Sequence, residues 1–250
     1  QGINARNLPE NDDTSLLRTA RELGQIPLRL AMQLALYKPD IVSFCESASK
    51  PTVMKILDAM GMKHCVHFPG AKDGQGHYPG SILTNFKIIS SENRPFVDKE
   101  HNDPEELFTR HWGKATLRLP NGQILTVHSA HLWPFNKDDK DRAIRMAEVE
   151  ELIKSIHADL DRHSGSVILQ GDLNQSPETP EHQKLVDSGL TDLFARVGSG
   201  DGYTATSKKP HTRIDYIYAI GPITGKIKTC RPLYEGDFRM NTDDPKAFSL

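Results

Sequence analysis

Pro120-Asn121-Gly122 lies between two apolar runs, Ala115–Leu119 and Gln123–Ala130. Asn-Gly adopts the positive φ values of a tight turn at little cost, so the two runs are expected to fold back as antiparallel strands. A lone hairpin is marginal in water and needs an apolar partner. Arg142–Leu160 supplies one, with Met146, Val149, Leu152, Ile153, Ile156 and Leu160 at the helical period. Three shorter helices are expected. Leu28–Tyr37 follows Pro27, with Leu30, Ala31, Leu34 and Ala35 on one face. Pro51–Met60 carries Val53, Ile56, Leu57 and Met60 on one face and stops at Gly61. Pro180–Ser188 stops at Gly189. Short β-rich runs fall at Ile41–Phe44, Ser81–Thr84, Ile88–Ile89, Val167–Leu169 and Ile214–Ile217, and Asn85-Phe86-Lys87 looks like a turn. Hairpin signals outnumber clean βαβ units. The expectation is an α/β (α+β) fold of two packed, mixed sheets with helices outside.

The chain of 250 residues is 37% hydrophobic and 26% charged, which suits one large domain or two small ones and excludes wholesale disorder. Polar stretches at Pro9–Thr14, Ala71–Gly76, Glu100–Glu105 and Asn136–Asp141 are short and read as loops within one domain. No apolar run is long enough to span a bilayer. Lys and Arg total 31 against 33 Asp and Glu, a net charge of −2, which disfavours long duplex DNA as a partner. Cys45, Cys65 and Cys230 include no C-x-x-C pair, so neither a zinc ribbon nor a redox motif is expected. No His pair has the H-E-x-x-H spacing of a zinc site.

Four motifs place polar chemistry at expected strand ends. Glu46 directly follows the run Ile41–Phe44, and His131 ends Thr126–His131. Asp172 and Asn174 follow Ile168-Leu169-Gln170-Gly171, and Asp215 interrupts the alternation of Arg213–Ile217. Each has an ordinary structural explanation. Glu46 fits a loop acid, Asp172-Leu173-Asn174 an Asx turn, Asp215 an internal pair with Arg213 or a His, and His131 a hydrogen-bonded structural histidine. Buried carboxylates without partners are costly, so several of them at strand ends point to a shared cation or hydrogen-bond network.

In this order the motifs resemble the endonuclease/exonuclease/phosphatase superfamily. The carriers are Pro39-Asp40-Ile41-Val42 with Glu46, Ser81–Ile88, His128–Leu132, Gly171-Asp172-Leu173-Asn174 with Pro177, and Arg213–Ile217. The similarity runs from about Leu28 to Tyr218. It implies a four-layer αββα sandwich and a Mg2+-dependent hydrolase, Mn2+ being an alternative, acting on a phosphodiester or phosphomonoester by direct water attack. By the same resemblance Glu46 is the metal ligand. Asp172 and Asn174 orient the water and stabilise the transition state, His131 contacts phosphate and can donate a proton, and Asp215 supports the core. The residue types suit the chemistry, since hard cations with oxygen ligands and amide donors both offset charge on phosphoryl oxygens.

Departures narrow the reading. Cys45 stands where the family often has Gln, and Thr84-Asn85 replaces Ser-Arg, removing a phosphate-facing cation. Ser47-Ala48 follows Glu46 in place of the exonuclease III-like start, which argues against DNA repair. Inositol-phosphatase signatures are absent. The substrate is expected to be a nucleic acid, a phospholipid headgroup or a small phosphorylated metabolite, and the protein a monomer. The alternative is a catalytically inactive member serving as a binding module, against which the presence of all five residues argues. Gln1-Gly2 begins where the family's Asn-bearing first strand ends, and Phe248-Ser249-Leu250 stops where its Ser-Asp-His begins. Residues 1–250 are therefore expected to be a single domain truncated at both ends.

Overall fold

The computed structural model describes residues 20, 22–70, 78–94, 107–163, 165–206 and 209–233. Both chain ends, and the loops expected at 9–14, 71–76 and 100–105, lie outside the described residues. Helix α1 (Ile26–Ala35) and strand β1 (Ile41–Phe44) are followed by α2 (Lys50–Met60), β2 (His64–Phe68), β3 (Gly80–Thr84) and β4 (Lys87–Arg94). Then come β5 (His111–Arg118), β6 (Ile124–His131), the long helix α3 (Asp139–His163) and β7 (Ser166–Asp172). The last elements are α4 (Pro180–Asp187), β8 (Thr191–Asp192), α5 (Leu193–Val197), β9 (Asp215–Ile220) and a 3-10 turn at Pro222–Lys226.

Two sheets form. One is antiparallel with order β1-β3-β2, and the other has order β4-β5-β6-β7-β9-β8 and is mixed through the parallel β6–β7 pair. Three apolar cores separate four layers. Ala31, Val53, Ile56 and Leu57 of α1 and α2 pack on Val42 and Leu83 of the small sheet. Phe68 and Ile82 of that sheet meet Ala115, Leu117, Leu125 and Val127 of the large one. Val149, Leu152 and Ile156 of α3 cover its outer face at Val167, Leu169 and Tyr218. Ile82 and Val127 are fully buried between the sheets, and each side chain of that kind contributes about 1.5–3 kcal/mol. The expected αββα sandwich is the observed fold.

The Asn-Gly turn joins β5 to β6 as expected. Gly122 sits at φ 82°, Asn121 Oδ1 accepts the Gln123 N–H at 3.1 Å, and Ala115 pairs with Val127. Helix α1 starts before Leu28 because Pro27 fits a first helical turn, and Ala35 is exposed at its end. Helix α3 takes in part of the polar stretch at 136–141, since Asp138 Oδ1 caps the Asp141 N–H at 2.9 Å. Asn85-Phe86-Lys87 does not close a hairpin. It carries the chain from the small sheet to the edge of the large one.

Candidate active site

Strand β7 buries Val167 and Leu169 and ends on Gln170-Gly171-Asp172. Gly171 is required there. Its φ is +146°, and a Cβ would lie 1.9 Å from the Ala130 carbonyl oxygen of the neighbouring strand. Gly171→Ala is expected to destabilise the protein by about 3 kcal/mol or more, because the obstacle is backbone that cannot step aside. A urea midpoint within about 1 kcal/mol of wild type would show that the strand end yields.

With Gly171 in place, strand register assembles a row. His111 of β5 pairs with His131 of β6, His131 with Asp172 of β7, and Asp172 with Asp215 of β9. The two-residue period puts these side chains on the face turned toward the small sheet, in line with Ala115, Val127 and Ile168. Opposed side chains in such a row have Cβ atoms roughly 5 Å apart. Glu46 enters from the small sheet, just beyond β1, where its carboxylate raises the proton affinity of both Asp172 and Asp215. Its loop is pinned by Ser47, whose N–H donates to the Pro79 carbonyl at 2.8 Å and whose hydroxyl meets Ser81 at 2.7 Å. Glu46 and Asn174 both hold φ 51°, a left-handed conformation that costs a non-glycine residue energy and is found at functional sites.

Cys45 closes the seam between the sheets. Its sulfur accepts the Asp172 N–H at 3.3 Å and donates to the Ala130 carbonyl at 3.5 Å. Burial pushes the thiol far up, and the surrounding carboxylates add to that, so it stays protonated.

Beneath the row runs a polar chain. His111 Nδ1 lies 3.1 Å from the Tyr78 carbonyl and must donate to it, which leaves Nε2 to accept from Ser129 Oγ at 3.1 Å. Ser43 Oγ of β1 then donates to Ser129 Oγ at 2.8 Å, tying the sheets together. Burial holds His111 neutral, with its pKa down to about 4. Its ring fills the space that a side chain at residue 80 would need, for a Cβ on Gly80 would lie 2.2 Å from it.

His131 is 3% exposed, with Nε2 3.5 Å from Asp172 Oδ2 and Nδ1 buried without a hydrogen-bond partner among the described residues. Burial first, then His111 and Arg110, push its pKa down. The contact with Asp172 is too long to reverse that, so the free imidazole is neutral. Burial raises Asp172 well above the ordinary carboxylate range, and Asp215 and Glu46 raise it further, against the Asn174 N–H and Arg110. Asp215 is open to solvent at the cleft mouth, not enclosed in an apolar alternation as its flanking sequence suggests. Atoms crowd its flanks, and this partial desolvation, with Glu46, also raises it, while Thr204 opposes. Asp172 and Asp215 are thus both raised by burial and by neighbouring carboxylate charge. A neutral imidazole beside a carboxylate of near-neutral proton affinity is an acid–base arrangement.

The ordinary structural explanations fare unevenly. Arg213 does not pair with Asp215, because its Nη1 donates to Asp192 Oδ1 at 2.9 Å. The Asx turn does exist, with Asn174 N–H donating to Asp172 Oδ1 at 3.0 Å. The Asn174 amide donates to the Leu132 carbonyl at 2.9 Å, which occupies one of its two N–H bonds. Asn85 donates to the Pro39 carbonyl at 3.5 Å and braces the start of β1.

Arg110 was not among the residues expected here. Its guanidinium lies over the Tyr78 ring, 4.7 Å from the centroid, and its charge is felt by His131 and Asp172. Tyr78 in turn sets its ring edge-on to His131 at 5.6 Å. The one sequence signal was the place of Arg110 directly before β5, which begins four residues earlier than the apolar run alone suggests. A cavity of about 280 Å³ opens beside Asp215, lined by Cys45, Gln170, Thr204 and Tyr216 among others.

The model of the Endonuclease/Exonuclease/phosphatase family matches residues 23–221. Among solved structures, the chain is similar to an endonuclease/exonuclease/phosphatase from Beutenbergia cavernae DSM 12333, with a TM-score of 0.63 and 17% identity. That match covers 78% of this chain but 58% of the other, so the chain spans little more than half of that protein's length. A truncated Caenorhabditis elegans TDP2 matches with a TM-score of 0.61 and 17% identity over 89% of this chain and 81% of that one. The human Nocturnin catalytic domain with bound sulfate matches with a TM-score of 0.60 and 18% identity, over 77% and 73% respectively. At such identities the likeness is one of fold. No curated protein sequence matches the chain.

Proposed function

The chain belongs to the endonuclease/exonuclease/phosphatase family, and from that premise we propose that it hydrolyses a phosphodiester or phosphomonoester by direct attack of water, with Mg2+ or Mn2+ held at Glu46. The observation that carries this reading is the approach of Glu46 to Asp172 and Asp215, where burial and the Glu46 charge raise the proton affinity of both aspartates. Such a cluster is relieved by a cation. Among the described residues no three His, Cys, Asp or Glu side chains stand as a ligand cage. A cation here would therefore rest on one or two carboxylates and keep several of its waters, as Mg2+ does. The residues therefore fit the cation, which when bound would offset charge developing on the phosphoryl oxygens.

The protein side chains supply the rest. Arg110 attracts the phosphate and, with the second N–H of Asn174, steadies its oxygens. Asp172 accepts the proton of the attacking water as the new P–O bond forms. Bound phosphate charge beside His131 raises the imidazole's proton affinity, so that it takes up a proton from solvent as substrate binds. The imidazolium then gives its proton to the leaving oxygen as the old P–O bond breaks. Asp215 keeps Asp172 basic. Single-stranded or short nucleic acids and small phosphate esters fit the nearly balanced net charge of −2 better than long duplex DNA.

EDTA is expected to remove activity on a panel of phosphodiesters and phosphomonoesters, and Mg2+ or Mn2+ to restore it. Activity untouched by EDTA would overturn the metal role. A protein that binds these esters and hydrolyses none of them in Mg2+ would be the inactive binding module.

A further inference from the structure

The first half of helix α3 turns two charged side chains inward. Glu148 is 0% exposed, and each carboxylate oxygen accepts one backbone N–H, Oε1 from Phe108 and Oε2 from Trp133, both at 2.7 Å. Arg145, one turn earlier, is 4% exposed. Its Nε donates to Glu181 Oε1 of α4 at 2.7 Å, and its Nη1 donates to the Asn174 carbonyl at 2.6 Å and more loosely to that of Trp133 at 3.4 Å.

One helical turn thus reaches three of the segments that carry the site. Phe108 leads into Arg110 and His111, Trp133 follows His131 by two residues, and Asn174 closes the Gly171–Asn174 motif. Asn174 Nδ2, bonded to the Leu132 carbonyl at 2.9 Å, knits the last two segments together. Burying a carboxylate and a guanidinium is costly, and where two such charges only pair with each other, hydrophobic residues of similar volume often serve as well. What they could not do is bond the backbone of these loops, and a misplacement of about 1 Å in such loops can cost roughly 10²-fold in rate. The left-handed Asn174 is also the kind of strained conformation that persists only when its surroundings over-determine it.

We propose that Glu148 and Arg145 are positioning residues, a buried clamp that sets the loops bearing Arg110, His131 and Asn174 in register for proton transfer to the leaving group. The proposal rests on the phosphoesterase reading above. Neither residue touches substrate.

The test compares two diesters with Mg2+ present: bis(4-nitrophenyl) phosphate, whose leaving group needs no proton, and dithymidine phosphate, whose alkoxide does. In Glu148→Gln the amide oxygen still accepts one N–H, while the NH2 group meets the other donor to donor and frees one loop. Hydrolysis of the unactivated diester is expected to fall by about 10²-fold and that of the activated one by about 10-fold. A purely structural role lowers the folded fraction and so reduces both rates by one factor. Arg145→Lys keeps the cation but cannot serve Glu181 and Asn174 together, and it is expected to skew the ratio the same way; it decides the matter should Glu148→Gln not fold. Equal losses on the two substrates, or no loss, overturn the clamp. Wild-type protein inactive on both substrates sinks the phosphoesterase reading itself, and the clamp with it.

Discussion

Asp172→Asn is expected to lower kcat for phosphate-ester hydrolysis by about 10²-fold or more and, in the same protein freed of metal, to raise the melting temperature above pH 7. The activity loss follows from the proton. The amide keeps the shape of the carboxyl, and its oxygen can still accept the Asn174 N–H that Asp172 accepts at 3.0 Å. It cannot take a proton from water. The stability gain follows from the same environment with opposite sign. Burial, Asp215 and Glu46 raise the folded-state proton affinity of Asp172 above its ordinary value of 3.8. A carboxyl raised in this way adds stability that is fully present below pH 3.8 and is lost as pH rises through the raised value. Asn escapes that loss and also relieves Asp215. Melting curves in EDTA should therefore coincide near pH 4 and separate above neutrality, with the variant higher. Wild-type activity in the variant would remove Asp172 from proton transfer, and a lower melting point at pH 8 would contradict the electrostatics. Higher stability with lost activity is the usual mark of a site whose charges were arranged for chemistry.

The layers of this fold were legible because their signals are local. Asn121-Gly122 fixes a turn by backbone sterics, Gly61 and Gly189 end helices, and the apolar period of 142–160 marks one face of α3. Pairing across sequence distance was not legible. Nothing at Asn85-Phe86-Lys87 reveals that β3 and β4 belong to different sheets, and nothing in β6 shows that it runs parallel to β7. In the site, Glu46, His131, Asp172, Asn174 and Asp215 were found as motifs at strand ends, which register alone can bring together. His111 and Arg110 were missed because β5 begins before its apolar run. The charged residues of α3 were hidden by a rule that usually works. Arg145, Glu148 and Asp159 share the buried side with Val149, Leu152 and Ile156, yet a charged residue on a helix is normally read as facing water.

Asp159 shows how large an effect such a residue has, and Asp159→Ala is expected to cost about 3–5 kcal/mol, or roughly 10 °C in melting temperature for a protein of this size. Its two oxygens each lie 2.9 Å from Lys114 Nζ of β5, and Oδ2 also lies 2.9 Å from His128 Nε2 of β6. Trp112 Nε1 donates to His128 Nδ1 at 3.2 Å, which places the imidazole proton on Nε2 and aims it at Asp159. Burial keeps that histidine neutral. Removing the carboxylate leaves an ammonium 9% exposed in the seam between helix and sheet with only the looser contacts to Glu92 at 3.6 Å and Ser155 at 3.4 Å, and an imidazole N–H without an acceptor. The pair Lys114→Met with Asp159→Leu removes both charges and is expected to recover most of the loss. The remainder is the orphaned His128 donor, about 1–3 kcal/mol. The pH dependence carries the same signature. His128 and Lys114 overcome the burial of Asp159 and hold its carboxyl down, from 3.8 to about 2. Stability from a depressed carboxyl is present above pH 3.8 and is lost as pH falls toward 2. Urea midpoints of the wild type should drop across that interval, and those of Asp159→Ala should lack this component. A single variant within about 1 kcal/mol of wild type, or a double variant no better than the single, would mean that the ammonium reaches water without its partner.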